Sequence, residues 1–237
     1  DLNKYDALEN TPFKIAVEDN GKSFFKLTIK VRDKIVADGL SLEDYDVTNV
    51  GTHLNAKEWN DAINKGATVV DMRNHYESEI GRFEGAICPD AETFKEELPI
   101  VKDILDGKKD ETVLLYCTGG IRCEKASAYL KHYGFKDVNQ LHGGIIDYVR
   151  QIKESPEIEN KFVGKNFVFD ERRGERISDD IISFCHQCND ACDEHTNCKN
   201  VNCNLLFLQC EKCKDKYENC CSIDCVKVSK LSDNERK

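Results

Sequence analysis

Two sets of cysteines carry most of the chemistry this chain could perform. The first centres on Cys117, in the run Val113-Leu114-Leu115-Tyr116-Cys117-Thr118-Gly119-Gly120-Ile121-Arg122-Cys123-Glu124-Lys125. An apolar strand leads into a glycine-bearing turn and then into a helix. That places Cys117 where backbone N–H groups converge and the helix dipole favours negative charge. A thiol held there is expected to have a lowered pKa and to act as a nucleophile. Thr118, Gly119, Gly120 and Ile121 would line the anion cradle, with Arg122 recognising the anion. Cys123 reads equally well as a resolving thiol and as a small residue in the first helical turn. The second set lies in the tail: Cys185, Cys188, Cys192, Cys198, Cys203, Cys210, Cys213, Cys220, Cys221 and Cys225. Two Cys-x2-Cys pairs among short further spacings point to tetrahedral zinc sites. Disulfides are the alternative, and the ligand pairing stays open.

Elements that position these residues follow from periodicity. Val113–Tyr116 reads as a buried parallel strand and the helix after it runs from about Cys123 to Tyr133, ending at Gly134. Upstream, Asn55 and Glu58 form a capping-box pattern ahead of the stripe Trp59, Ala62, Ile63. Residues 67–72 read as a second buried strand. Residues 91–105 carry helical periodicity interrupted at Pro99, and residues 138–141 form a strand before Gly143-Gly144 and a helix through Ile152. Alternating strands and helices imply an α/β doubly wound parallel sheet, whose ligands bind beyond the strand carboxyl ends, where Cys117 falls. Phe24–Arg32 predicts a strand with one basic face. The expected units are a partial N-terminal segment over 1–47, the α/β domain over 48–155, a connector over 156–182, a cysteine-rich module over 183–228 and a charged tail over 229–237.

The chain has 237 residues, 13 cysteines and a net charge of −10. Acidity argues against non-specific nucleic-acid binding and leaves local basic islands as the route to RNA. Lys165, Arg172, Arg173 and Arg176 form one such island, although interleaved Asp170, Glu171 and Glu175 predict an internal salt-bridge network equally well. No apolar run is long enough for a membrane span and no export signal is evident, so the cysteine usage fits a cytoplasmic enzyme with a metal-binding tail.

Loop length narrows the reading. Cysteine-dependent phosphatases use Cys-x5-Arg, whereas Cys117 to Arg122 is Cys-x4-Arg, a loop size found in rhodanese domains. Asp71-Met72-Arg73, Gly85-Ala86 and Leu141-His142-Gly143-Gly144 agree with a single rhodanese domain. Asp71 is expected to be a buried carboxylate that orders the loop. Arg73 is expected in a structural ion pair or, alternatively, beside the anion site. His75 reads as an acid–base group or as a surface histidine.

Longer segments resemble one family in particular. Val31–Gly39, Asp71–Glu77, Cys117–Ser127, Gly164–Arg172 and Cys185-His186-Gln187-Cys188 are similar to the bacterial rhodanese-type tRNA uridine hydroxylases. The resemblance implies a rhodanese-like sheet, a partial α+β ferredoxin-like N-terminal segment missing its first strands and helix, and a catalytic, persulfide-type Cys117. It also implies hydroxylation of C5 of the wobble uridine in the tRNA anticodon loop, with molecular oxygen as cosubstrate. No G-x-G-x-x-G nucleotide loop and no two-histidine, one-carboxylate iron pattern is present, so the sequence assigns no electron donor. Uracil chemistry offers a route: thiolate addition at C6 makes C5 electron-rich. The rival readings are a sulfurtransferase carrying a persulfide on Cys117 and a non-catalytic zinc-stabilised interaction module.

Overall fold

The computed structural model describes residues 4–9, 30–32, 34, 36–41, 45–232 and 235–236. The strand expected over Phe24–Arg32 falls outside these from 24 to 29, as does most of the expected N-terminal domain.

Four parallel strands make the main sheet: β1 (Thr52–Leu54), β2 (Thr68–Asp71), β4 (Thr112–Tyr116) and β5 (Asp137–Leu141), in the order β1-β5-β4-β2. The apolar run Val113–Tyr116 lies at its centre and is wholly buried, as a strand covered on both faces must be. Helices α1 (Ala56–Asn64) and α5 (Gly144–Glu154) cover one face, where Trp59, Leu114, Tyr116, Ile145 and Tyr148 share a core. Helices α3 (Phe94–Ile104) and α4 (Ile121–His132) cover the other, packing Leu98, Val101, Ala126 and Leu130 against Val113 and Leu115. The short helix α2 (His75–Glu79) follows β2. The α/β doubly wound expectation holds.

Local signals explain the helix ends. The Asn55–Glu58 capping box closes reciprocally, at 2.9 and 3.0 Å. Gly134, at φ +87°, ends α4. The Gly134 N–H bonds to Lys131 O and the Phe135 N–H to Leu130 O, which satisfies carbonyls that the helix leaves open. Pro99 does not interrupt α3, contrary to expectation. Its missing N–H orphans the Lys95 carbonyl, but both residues lie on the solvent-facing side, where water replaces the bond.

A second sheet corrects the expected connector. β3 (Gly81–Phe83) pairs antiparallel with β6 (Phe162–Asn166), and β6 pairs with β7 (Glu175–Arg176). Residues 156–182 therefore carry two strands, and Phe162 packs into the α1/α5 core. The cysteine-rich part holds a hairpin of β8 (His195–Asn197) and β9 (Leu206–Leu208), then α6 (Glu211–Tyr217) and α7 (Ile223–Ser229).

Candidate active site

Cys117 sits directly after β4 and is 2% exposed. Gly120 adopts φ +92° as the N-cap of α4 and its N–H donates to Cys117 Sγ at 3.1 Å. That backbone region favours glycine. The Cys117 thiol is lowered to about 6, first by a hydrogen bond from Cys123 and then by the Arg122 charge and the loop N–H groups, which together outweigh burial. Cys123 is driven the opposite way, well above its ordinary value, by burial and by its bond to Cys117. Of the two thiols Cys117 is the ionised one.

The loop is held from the other side by the start of α5. Ile145 N–H donates to Cys117 O at 3.0 Å and Ile146 N–H to Thr118 O at 3.2 Å. This approach requires Gly144, at φ +69°, since a Cβ there would lie 2.5 Å from Cys117 O and 2.6 Å from Thr118 O. The Gly143-Gly144 pair thus shapes the nucleophile loop from a distant strand end.

Arg122 lies beside the thiol, and its charge is already matched. Nη1 and Nη2 donate to the two carboxylate oxygens of buried Glu77, at 2.6 and 2.9 Å. Glu77 Oε2 also accepts from Asn74 N–H at 3.0 Å, closing the start of α2. Sequence reasoning did not single out Glu77. The Asn74-x2-Glu77 capping spacing was the available signal for its placement, and nothing local announced its pairing with Arg122, 45 positions away.

Arg73 is not beside the anion site. It is fully buried, donating through Nε and Nη2 to Asp71 at 2.8 and 2.7 Å and to Gly81 O at 2.6 Å. Tyr116 Oη donates to the same carboxylate at 2.6 Å. A buried guanidinium needs a charge partner, and Asp71 draws Arg73 inward. Asp71 is buried, as expected, and its bonds run to Arg73 and Tyr116 at the strand ends, where the Cys117 loop was the expected partner. Glu97, on α3, is a third buried carboxyl. Among the described residues it has no hydrogen-bond partner, and burial, then the charge of Asp71, pushes it up to about 9.

A cavity of about 450 Å³ opens above Cys117. Val36, Ala37, Phe94, Ile121 and Phe169 make its apolar walls, with Asn74, Thr93 and Glu92 as polar points and Gly119 and Arg122 near the floor. Asp38 anchors the Val36–Ala37 wall to α4: its carboxylate pairs with Lys125 at 2.5 Å and Lys34 at 2.9 Å. Despite burial, those two cations hold it at about 2. A larger cavity of about 660 Å³, with Glu58, Asp61, Asp110, Glu111 and Asp137 in its lining, has no cysteine among its lining residues. His75 is half exposed and faces Asp90 at 3.9 Å, outside the Cys117 cavity.

The basic island takes the salt-bridge alternative. Arg172 pairs with Asp170 and Glu175, both at 2.5 Å, Arg176 with Asp193 at 2.5 Å, and Lys165 with Asp193 at 2.9 Å and also with Glu194. Arg173 Nη1 donates to His195 O at 3.1 Å. Each side chain meets a nearby acid or carbonyl, as the interleaved acids predicted.

The tail cysteines sort into two groups able to hold a metal ion. Cys185, Cys188, Cys210 and Cys213 form one, and Cys198, Cys203, Cys221 and Cys225 the other, with all sulfurs of a group within 4.8 Å of one another. Cys192 and Cys220, expected as ligands, belong to neither. Both are buried, where a free thiol acts as a small apolar side chain. Along the chain the pairs alternate between the groups, so each closes across a segment of the other.

Comparison with known proteins agrees with this geometry. Residues 55–151 match the rhodanese-like domain family and residues 163–226 the rhodanase C-terminal family. A protein from Leptospira interrogans named tRNA uridine(34) hydroxylase is 53% identical over all of this chain and 64% of its own length. Proteins of the same name from Photorhabdus laumondii and Yersinia pestis are each 52% identical over 98% of this chain and 66% and 65% of theirs. This chain therefore spans slightly less than two thirds of the length of the curated relatives it matches. A solved rhodanese-like domain from Anabaena sp. aligns at 18% identity over 48% of this chain and 80% of that one, with a TM-score of 0.37. Over its whole length the chain is thus similar to proteins named tRNA uridine(34) hydroxylase, and Cys117 lies in the part that matches the rhodanese-like domain family.

Proposed function

We propose that this chain hydroxylates C5 of the wobble uridine in the tRNA anticodon loop, in the cytoplasm, with molecular oxygen giving 5-hydroxyuridine. The observation that carries this reading is an ionised thiol at the floor of an apolar-walled cavity whose one lining cation among the described residues, Arg122, is already bound by Glu77. Such a site suits a flat neutral ring better than a free anion. Cys117 adds to C6 of the uracil, its electron pair forming the S–C bond while the C5–C6 double bond shifts charge onto C5 and O4. The loop N–H groups stabilise that enolate oxygen, and Arg122 contributes field in place of a direct bond. One atom of oxygen joins C5. The other leaves as water, with two protons and two electrons from an external two-electron reductant. Loss of the C5 proton and of the Cys117 thiolate restores the ring. The wobble base is unpaired in its loop, so presenting it requires no base pair to be broken.

The tail groups fit zinc. Tetrahedral Zn–S bonds of about 2.3 Å put sulfurs about 3.8 Å apart. The Cys188–Cys210, Cys203–Cys221 and Cys221–Cys225 sulfurs lie 3.5, 3.7 and 3.6 Å apart. A disulfide needs about 2.05 Å. Cys185, Cys188, Cys210 and Cys213 would hold one ion and Cys198, Cys203, Cys221 and Cys225 the second, giving a polar module the cross-links it needs to fold.

Nucleoside mass spectrometry of tRNA incubated with the chain, oxygen and a two-electron reductant tests the reading. Wild type is expected to yield 5-hydroxyuridine and Cys117→Ala none; equal product from both overturns the role of Cys117. The loop size also favours a sulfurtransferase, and persulfide transfer from thiosulfate without any uridine product would establish that reading instead.

A further inference from the structure

We propose that Phe169 is the stacking platform for the uracil ring and thereby sets the specificity of this site for an unpaired pyrimidine in RNA. The proposal rests on the hydroxylase reading above. Phe169 lines the Cys117 cavity and is 63% exposed, whereas Phe94 on the same cavity is buried. Leaving that much aromatic surface in water at the mouth of a pocket forgoes burial worth about 25 cal/mol per Å², so a partner surface is expected there.

The ring is held in readiness. It meets Phe167 edge-to-face at 5.2 Å, and Phe167 in turn packs against Tyr76 and His195 at 5.2 and 5.1 Å. The residues just after it form the Asp170–Arg172–Glu175 network, in which Arg172 N–H and Nη2 bind Asp170 at 2.9 and 2.5 Å. That network gives the charged residues after Phe169 a purpose other than touching RNA: they fix the turn that carries the ring.

The opposite walls suit the same ligand. Ile121 presents a half-open apolar face, while Asn74, Thr93 and Glu92 offer donors and acceptors for the polar edge of a base. Aromatic faces bind unpaired bases through stacking, and alanine substitution there typically weakens binding roughly 10-fold. A small anion would gain nothing from Phe169.

Steady-state assays on tRNA with Phe169→Ala, Phe169→Leu and Phe169→Tyr test this. Phe169→Ala and Phe169→Leu are expected to lower kcat/KM for 5-hydroxyuridine formation roughly 10-fold, mostly through KM, and Phe169→Tyr to retain it. Leucine fills space without a π face, so leucine acting as well as phenylalanine overturns stacking, as does an alanine variant with undiminished kcat/KM. If the alanine variant fails to fold, the leucine–tyrosine contrast still decides. Product from wild type with no effect of any substitution sinks the platform alone; no product from wild type sinks the hydroxylase reading and the platform with it.

Discussion

Glu77 grips the Arg122 guanidinium through both of its carboxylate oxygens, at 2.6 and 2.9 Å, with the Glu77 side chain fully buried. The residue in the best position to bind a substrate anion is thereby occupied by the protein itself. Removing one partner of a buried pair costs about 3–5 kcal/mol. Arg122→Ala should lose about that much in urea unfolding, and the double substitution Arg122→Met with Glu77→Gln should recover most of it. A stability of Arg122→Ala equal to wild type would show that the pair is not buried in solution.

Alkylation of Cys117 by iodoacetamide should rise through pH 6 and level off below pH 8, since its thiol is lowered to about 6. Cys123→Ala removes the largest contribution to that lowering. The midpoint should move upward and the rate at pH 7 should fall. An unchanged midpoint would mean that the Arg122 charge and the loop N–H groups suffice.

Glu97 keeps its proton up to about 9 in the folded chain, against an ordinary value of 4.5. Between those values the unfolded chain releases a proton that the folded chain holds, so stability from this group falls as pH rises. Glu97→Gln keeps the shape of the neutral acid without that dependence. It should raise the melting temperature at pH 8 more than at pH 5, by roughly 2–4 °C per kcal/mol recovered. An equal effect at both pH values would mean that the carboxyl ionises in place.

Metal analysis of reduced protein should find two ions per chain. Cys188→Ser and Cys221→Ser should each lower that content, whereas Cys192→Ser and Cys220→Ser should retain both ions while losing some stability. A strong chelator should unfold the tail, read as loss of its near-ultraviolet signal. Loss of metal in the Cys192 variant would overturn the ligand assignment.

What was legible in the sequence was local. The Asn55–Glu58 box, the Gly134 helix stop and the loop around Cys117 each depend on residues a few positions apart, and periodicity with cap chemistry captures them. The misplaced features depend on distant partners. Arg73 is not one of them, since its ion pair is with Asp71 only two positions away. Residues 156–182 looked like a connector because β6 earns its place only by pairing with β3, some 80 positions earlier. Cys192 and Cys220 share the spacing of ligands, and only the folded arrangement shows which thiols converge.

The alternating cysteine pairs have a consequence for the pocket. His195 begins β8 between two ligand pairs, and its ring rests on Phe167, which backs Phe169. Because each group of four spans the other, neither half of the tail can let go without loosening its counterpart. A metal ion held by either group would therefore also stiffen, through His195 and Phe167, the wall above Cys117.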